Sequence, residues 1–154
     1  MKIIFLTSGA GSSADYVIKR IKTSFTPITV SGIVYEDNVK MLSRIERYKA
    51  EDGDISRATF TQVARTDFGG NDIFHLHIWN IISEWGKIDY IVLAGWMHII
   101  PEIFIKNCEK KGMRIINLHP TLQYQLIGRD VYPKIWKMYQ DGMIRETGCM
   151  VHYV

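Results

Sequence analysis

The sequence predicts an α/β domain of Rossmann-like type, a mostly parallel twisted sheet flanked by helices. Three observations carry that expectation. Residues 2–7 include a continuous apolar run, Ile3-Ile4-Phe5-Leu6, as strands of a sheet covered on both faces do. The run leads directly into Ser8-Gly9-Ala10-Gly11-Ser12-Ser13 and then into helical periodicity, the opening of a βαβ unit. Strand-like and helix-like stretches alternate through the rest of the chain, which implies right-handed crossovers and ligands at the carboxyl ends of the strands.

Taken in order, residues 2–7 read as a buried strand and residues 8–13 as a tight loop. From Ser13 onward Tyr16, Val17, Ile18 and Ile21 recur at helical spacing, with Ser12 or Ser13 as the expected cap. Residues 28–35 read as a second strand, 39–48 as a short helix and 58–63 as a weaker third strand. Residues 73–85 place Phe74, Ile78, Ile81, Ile82 and Trp85 on one helical face. On that helix His75 and His77 point about 200° apart and cannot share a metal ion. Both are expected at the surface. Residues 89–94 form the clearest strand, closed by Gly95. Pro101 starts a helix that runs to about Lys111, with Lys110, Lys111 and Gly112 at its end as dipole and capping preferences require. Residues 113–118 are the next strand. Trp79, Trp85 and Trp136 are expected to pack helices against the sheet.

Size and composition support one domain spanning 1–154. A chain of 154 residues with 47% hydrophobic and 23% charged residues has ordinary globular composition and enough length for a core. The four-residue run Ile3-Ile4-Phe5-Leu6 is too short for a signal-peptide core, and no later run approaches the roughly 18 apolar residues of a membrane span. A cytoplasmic protein without a membrane partner is the expectation. Cys108 and Cys149 lack Cys-x-x-Cys spacing, so neither a disulfide framework nor a zinc ribbon is indicated, and both thiols are expected reduced. The net charge of +3 comes from mixed-sign segments with no run of five basic residues. No nucleic-acid partner is expected, while a small anionic substrate is compatible.

The candidate chemistry sits at strand ends. Asn117 and His119 in Asn117-Leu118-His119-Pro120 share one face if the strand stays extended, and Pro120 biases His119 away from helical geometry. An amide there can donate to a developing oxyanion, and an imidazole of ordinary pKa, about 6.5, can move a proton. A strand-end amide beside a half-buried histidine has the same spacing, so both alternatives stay open on spacing alone. The loop offers three. Gly9 to Ala14 satisfies G-x-G-x-x-[G/A], with Glu36 or Asp37 at the ribose-binding distance, as in a nicotinamide-binding domain using Gly9, Gly11 and Glu36. The same residues make a phosphate cradle, with N–H groups and hydroxyls at Gly11, Ser12 and Ser13. They also suit a plain tight turn. A single domain leaves little room for the separate substrate domain of a nicotinamide enzyme, which favours phosphate.

Four segments taken together resemble the phosphoribosylglycinamide formyltransferase family of purine synthesis: residues 3–13 (IIFLTSGAGSS), 91–100 (IVLAGWMHII), 115–122 (IINLHPTL) and 147–154 (TGCMVHYV). The resemblance implies that Gly11, Ser12 and Ser13 bind the substrate phosphate. It implies that Met97, His98, Ile99 and Ile100 contact the pterin of the co-substrate 10-formyltetrahydrofolate through backbone groups, with Asn117 also facing the folate. Asn117 and His119 would be the catalytic pair, and no metal would be needed. His98 would serve through its backbone. Trp96 would line the folate pocket or belong to the core, and His152 would face the site or lie in the core. Partners would be a phosphorylated small molecule and a reduced folate.

The chain departs from the family pattern at Ser13, where the family usually has Asn, and at Leu122-Gln123-Tyr124, where it has Leu-Pro. It also has Arg129-Asp130 after Gly128 in place of a histidine. The family's third catalytic group is an aspartate in an Asp-x-Gly segment shortly after the last matching strand, which here ends at Val154. The expectation is therefore an N-terminal part of a longer enzyme, lacking the C-terminal part of the family fold and impaired in catalysis by itself. Asp130 and Asp141 are the other carboxylates that could take that role, and neither is required there by spacing. Alternative functions are formyl transfer to a sugar or to aminoacyl-tRNA, a non-catalytic binding domain, and the nicotinamide-binding domain.

Overall fold

In a computed structural model, described over residues 1–51, 53–122, 125–126 and 131–154, the chain forms one six-stranded sheet in the order β3-β2-β1-β4-β5-β6. The strands are β1 (Lys2–Thr7), β2 (Thr29–Glu36), β3 (Thr59–Val63), β4 (Tyr90–Leu93), β5 (Arg114–His119) and β6 (Met150–Tyr153). The first five pair in parallel, and β6 runs antiparallel to β5. The helices are α1 (Ser12–Lys22), α2 (Val39–Ala50), α3 (Asn71–Ser83), α4 (Glu102–Lys110) and α5 (Val131–Gln140). The expected strands and helices appear with ends shifted by a few residues, and α5 forms in addition to them.

Alternation along the central strands sorts the core into two layers, because successive strand side chains point to opposite faces. Ile4, Leu6, Val34, Ile91, Leu93 and Ile115 meet Phe74, Ile78 and Ile82 of α3 and Phe104 and Cys108 of α4. Ile3, Phe5, Ile33, Tyr35, Val92 and Ala94 meet Ala14 and Ile18 of α1 and Met41, Ile45 and Tyr48 of α2. With both faces covered, β1 has to be apolar at consecutive positions, which is why it reads as a run. Burying each of these large side chains contributes roughly 1.5–3 kcal/mol.

At Gly32 the β1–β2 pairing slips by one residue, and the Trp85 ring and the Thr59 carbonyl occupy the space a β-carbon would take. Trp85 can lie on the sheet only over a glycine. It and Trp79 pack against the α3 side as expected, whereas Trp136 does not. Trp136 is 59% exposed and stacks on Tyr139, because α5 buries Val131 and Ile135 and position 136 lies one step of about 100° further round the helix.

The expected surface position of His75 is also corrected. His77 is exposed, but His75 is fully buried on α3, three and seven residues before Ile78 and Ile82 on the same stripe. Burial is tolerable because both ring nitrogens are matched: Nδ1 lies 2.8 Å from the Asn71 carbonyl, and Trp96 Nε1 donates to Nε2 at 3.3 Å. This pairing fixes the neutral ring with its proton on Nδ1. Burial pushes its pKa down, against the lifting effect of the Asn71 carbonyl.

No helix among the described residues is long and apolar enough to cross a membrane.

Candidate active site

The strand order reverses direction between β1 and β4, and the site is assembled at the carboxyl ends there, where doubly wound sheets bind ligands. One register row crosses the sheet: Val34 pairs with Leu6, Leu6 with Leu93, Leu93 with Asn117, and Asn117 with His152. Asn117 thus continues the row of Leu6 and Leu93, which are buried, and is itself only partly buried.

β5 stays extended through His119, so Asn117 and His119 lie on the same face as buried Ile115. Asn117 Nδ2 is 3.1 Å from His152 Nε2, and His152 Nδ1 is 2.9 Å from the Tyr153 carbonyl. A neutral His152 with its proton on Nδ1 satisfies both contacts, donating to Tyr153 and accepting from Asn117. One Asn117 amide hydrogen is thereby held, and the other has no partner among the described residues. His152 is exposed beside the site rather than in the core.

His119 is anchored differently. Its Nε2 lies 2.8 Å from the Leu126 carbonyl, which also accepts from Thr121 Oγ1 at 3.1 Å. Nε2 donates there, so the neutral ring has its lone pair on Nδ1 and takes up a proton at that atom. Among the described residues no carboxylate is hydrogen-bonded to His119. Asp141 pairs with Lys137 on the surface, and Asp130, like Gln123, Tyr124, Gly128 and Arg129, lies outside the described residues.

The loop after β1 is built around Gly11, which takes φ +71° as the residue before α1. The expected Ser12 or Ser13 cap is not formed: both serines already lie inside the first turn of α1, and no side chain caps the helix. Gly11 is required twice over, since a β-carbon would meet Met41 Sδ and a left-handed backbone disfavours other residues. Arg44 of α2 donates to the Ala10 carbonyl at 2.6 Å. Below the loop, Asp15 is paired with Lys19, Arg44 and Arg47 and accepts from Tyr48 Oη at 2.8 Å. Burial raises the Asp15 pKa, but the hydrogen bonds from Tyr48, Arg47 and Lys19 outweigh it and hold the carboxyl at about 2. The surface depression lined by Lys40, Ser43, Arg44 and Arg47 belongs to this cluster, away from Asn117 and His119.

The segment after β4 is tied to three other elements. Ser8 Oγ donates to the Gly95 carbonyl at 3.1 Å and accepts from Met97 N at 2.8 Å. Asn71 Nδ2 donates to the Ile99 carbonyl at 2.8 Å. His98 Nε2 meets Glu36 Oε2 at 2.8 Å. Met97 N–H and Ile99 C=O are therefore already engaged within the protein, while Met97 and Ile99 side chains are exposed. Trp96 is 7% exposed and belongs to the core beneath the segment, not to its outer lining. Ser8, Asn71 and the partnership of Glu36 with His98 were not singled out by sequence; the only signal was Ser8 standing between a strand and a glycine loop. Among the described residues no three His, Cys, Asp or Glu side chains are grouped to hold a metal ion.

The family model described as Formyl transferase matches residues 1–154. The chain is 29% identical over 156 residues to phosphoribosylglycinamide formyltransferase of Dictyostelium discoideum, covering 99% of this chain and 75% of that protein. It is also 29% identical over 156 residues to the trifunctional purine biosynthetic protein adenosine-3 of Gallus gallus, covering all of this chain and 14% of that protein. The crystal structure of phosphoribosylglycinamide formyltransferase from Bacillus halodurans superposes with a TM-score of 0.78 at 19% identity, covering 100% of this chain and 72% of that one, a likeness of fold.

Proposed function

The chain belongs to the formyl transferase family, and from that premise we propose that it transfers a formyl group from 10-formyltetrahydrofolate to the amine of phosphoribosylglycinamide in purine biosynthesis. The observation that carries this is the pairing of an oriented amide, Asn117, and an anchored imidazole, His119, at the carboxyl end of β5, the strand beside β4 of the β1/β4 switch point. The glycine loop and residues 97–100 flank it.

Gly11, Ser12 and Ser13 hold the substrate phosphate, at the start of α1 where the first-turn N–H groups have no side-chain cap. Residues 97–100 receive the pterin; with Met97 N–H and Ile99 C=O engaged, the contacts fall to the other backbone groups of His98 and Ile100 and to the Met97 and Ile99 side chains. The substrate amine attacks the formyl carbon, forming a C–N bond and placing negative charge on the formyl oxygen. The free Asn117 amide hydrogen donates to that oxygen. His119 accepts the proton lost by the amine at Nδ1 and returns it to the folate nitrogen as the old C–N bond breaks. With a carbonyl rather than a carboxylate on Nε2, the imidazolium gains less stabilisation, so we expect transfer by these residues to be slow. The compartment on this assignment is the cytoplasm, and Cys108 and Cys149 are both free.

The nicotinamide alternative is disfavoured by Glu36, whose two carboxylate oxygens are taken by Arg65 N and His98 instead of facing a ribose. Single-turnover formyl transfer tests the assignment even at a low rate. Transfer that disappears in His119→Ala supports it; a chain that binds NAD and not a reduced folate overturns it.

A further inference from the structure

Glu36, the last residue of β2, is 62 positions from His98 in sequence. Its Oε1 accepts from Arg65 N at 3.3 Å and its Oε2 from His98 Nε2 at 2.8 Å, with side-chain exposures of 18% for Glu36 and 20% for His98. The imidazole stands edge-on to Trp96 at 5.0 Å and to Phe74 at 5.3 Å. It is therefore fixed by edge contacts with two aromatic rings and by a carboxylate at its tip. Ser8 and Asn71 hold the main chain of this segment at Gly95, Met97 and Ile99. Between those points, the His98 side chain ties the segment to β2.

We propose that Glu36 and His98 form a positioning pair that sets the conformation of residues 97–100 for a reduced folate. This rests on the folate assignment above and adds that affinity depends on two side chains that need not touch the ligand. The tether works with the ring neutral or protonated, since Nε2 donates to the carboxylate in both states. A charge-assisted hydrogen bond at a largely desolvated site is stronger than an exposed ion pair. Arg65, whose guanidinium lies 5.9 Å from the Phe74 ring, and buried neutral His75 are the neighbouring ionisable groups. Pre-ordering a binding segment raises affinity by lowering the ordering cost at association.

The test is titration of the 154-residue chain with tetrahydrofolate, followed by tryptophan fluorescence, with inorganic phosphate as the control ligand and amide hydrogen exchange over residues 97–100. His98→Ala and Glu36→Ala are each expected to raise the folate Kd about tenfold and speed exchange, leaving phosphate affinity unchanged. His98→Gln, which keeps a donor, is expected to recover most of the affinity. The double alanine variant should be no weaker than either single one, because both remove the same tether. Wild-type folate binding with variants within about twofold, or unchanged exchange, overturns the positioning role while the folate assignment stands. A wild type that does not bind tetrahydrofolate overturns the folate assignment itself and the proposal with it.

Discussion

Asn117 and His152 face each other across the antiparallel β5–β6 pair, with Asn117 Nδ2 3.1 Å from His152 Nε2. Because His152 Nδ1 serves the Tyr153 carbonyl, the histidine is held as an acceptor and the amide is turned so that one hydrogen is free. Asn117→Ala is expected to lower single-turnover formyl transfer by about 10²–10³-fold, the usual effect of removing one oxyanion donor. His152→Phe keeps a ring but removes the acceptor and should cost about tenfold with little change in folate affinity. Equal, negligible effects of the two changes would refute this division of roles.

His119 donates Nε2–H to Leu126 and so takes up protons at Nδ1. His119→Ala should reduce transfer by about 10²–10⁴-fold, the span of general acid–base catalysis, without weakening phosphate binding. Loss of both together in titration and rate measurements would mean that the substitution disturbs the fold.

Asp15 is an anchor for α2. Its folded pKa, about 2, lies below the unfolded value of about 3.9, so its stabilisation is present above pH 4 and is lost as pH falls towards 2. The linkage is about 2 kcal/mol at most, since the side chain retains 12% exposure. Asp15→Asn is expected to destabilise the protein by about 2 kcal/mol at pH 7 and flatten its acid limb, as read by urea unfolding at several pH values.

His75 acts in the same direction at higher pH. Burial lowers its pKa, so the unfolded chain binds the extra proton and stability falls as pH drops below about 6.5. His75→Gln places an amide donor towards Asn71 and an acceptor towards Trp96, and is expected to remove this slope between pH 7.5 and 5.5. A slope that persists would assign it to another group.

Gly11→Ala combines a β-carbon against Met41 with φ +71°. A loss of about 1–3 kcal/mol is expected, together with weaker binding of inorganic phosphate. In a Met41→Ala background, itself destabilised by the lost core side chain, adding Gly11→Ala should cost less than it does in the wild type, because the collision is gone and only the dihedral cost is left.

Much of the architecture was legible because strand and helix periods are local properties. Ile3 to Leu6 could be read as a strand covered on both faces, and Pro101 with Gly112 marked both ends of α4. The strand-end location of Asn117 and His119 followed from the same reading. His75 was misplaced because helical spacing predicts which residues share a stripe, not whether a polar member of that stripe finds two partners in the core. Trp136 was misplaced because an aromatic residue suggests burial, while the helix phase set by Val131 and Ile135 turns it outward.

The sequence alone determined the αβ alternation, the glycine turn after β1 and the family likeness of the four segments, because each is written in neighbouring residues. Tertiary structure decided that His152 orients Asn117 from 35 residues away and that Glu36 tethers His98 from 62 residues away. It also decided that Ser8 joins the glycine loop to the segment after β4. Such contacts depend on register and crossover packing, where a shift of one residue would turn each side chain to the opposite face, and no local pattern records them.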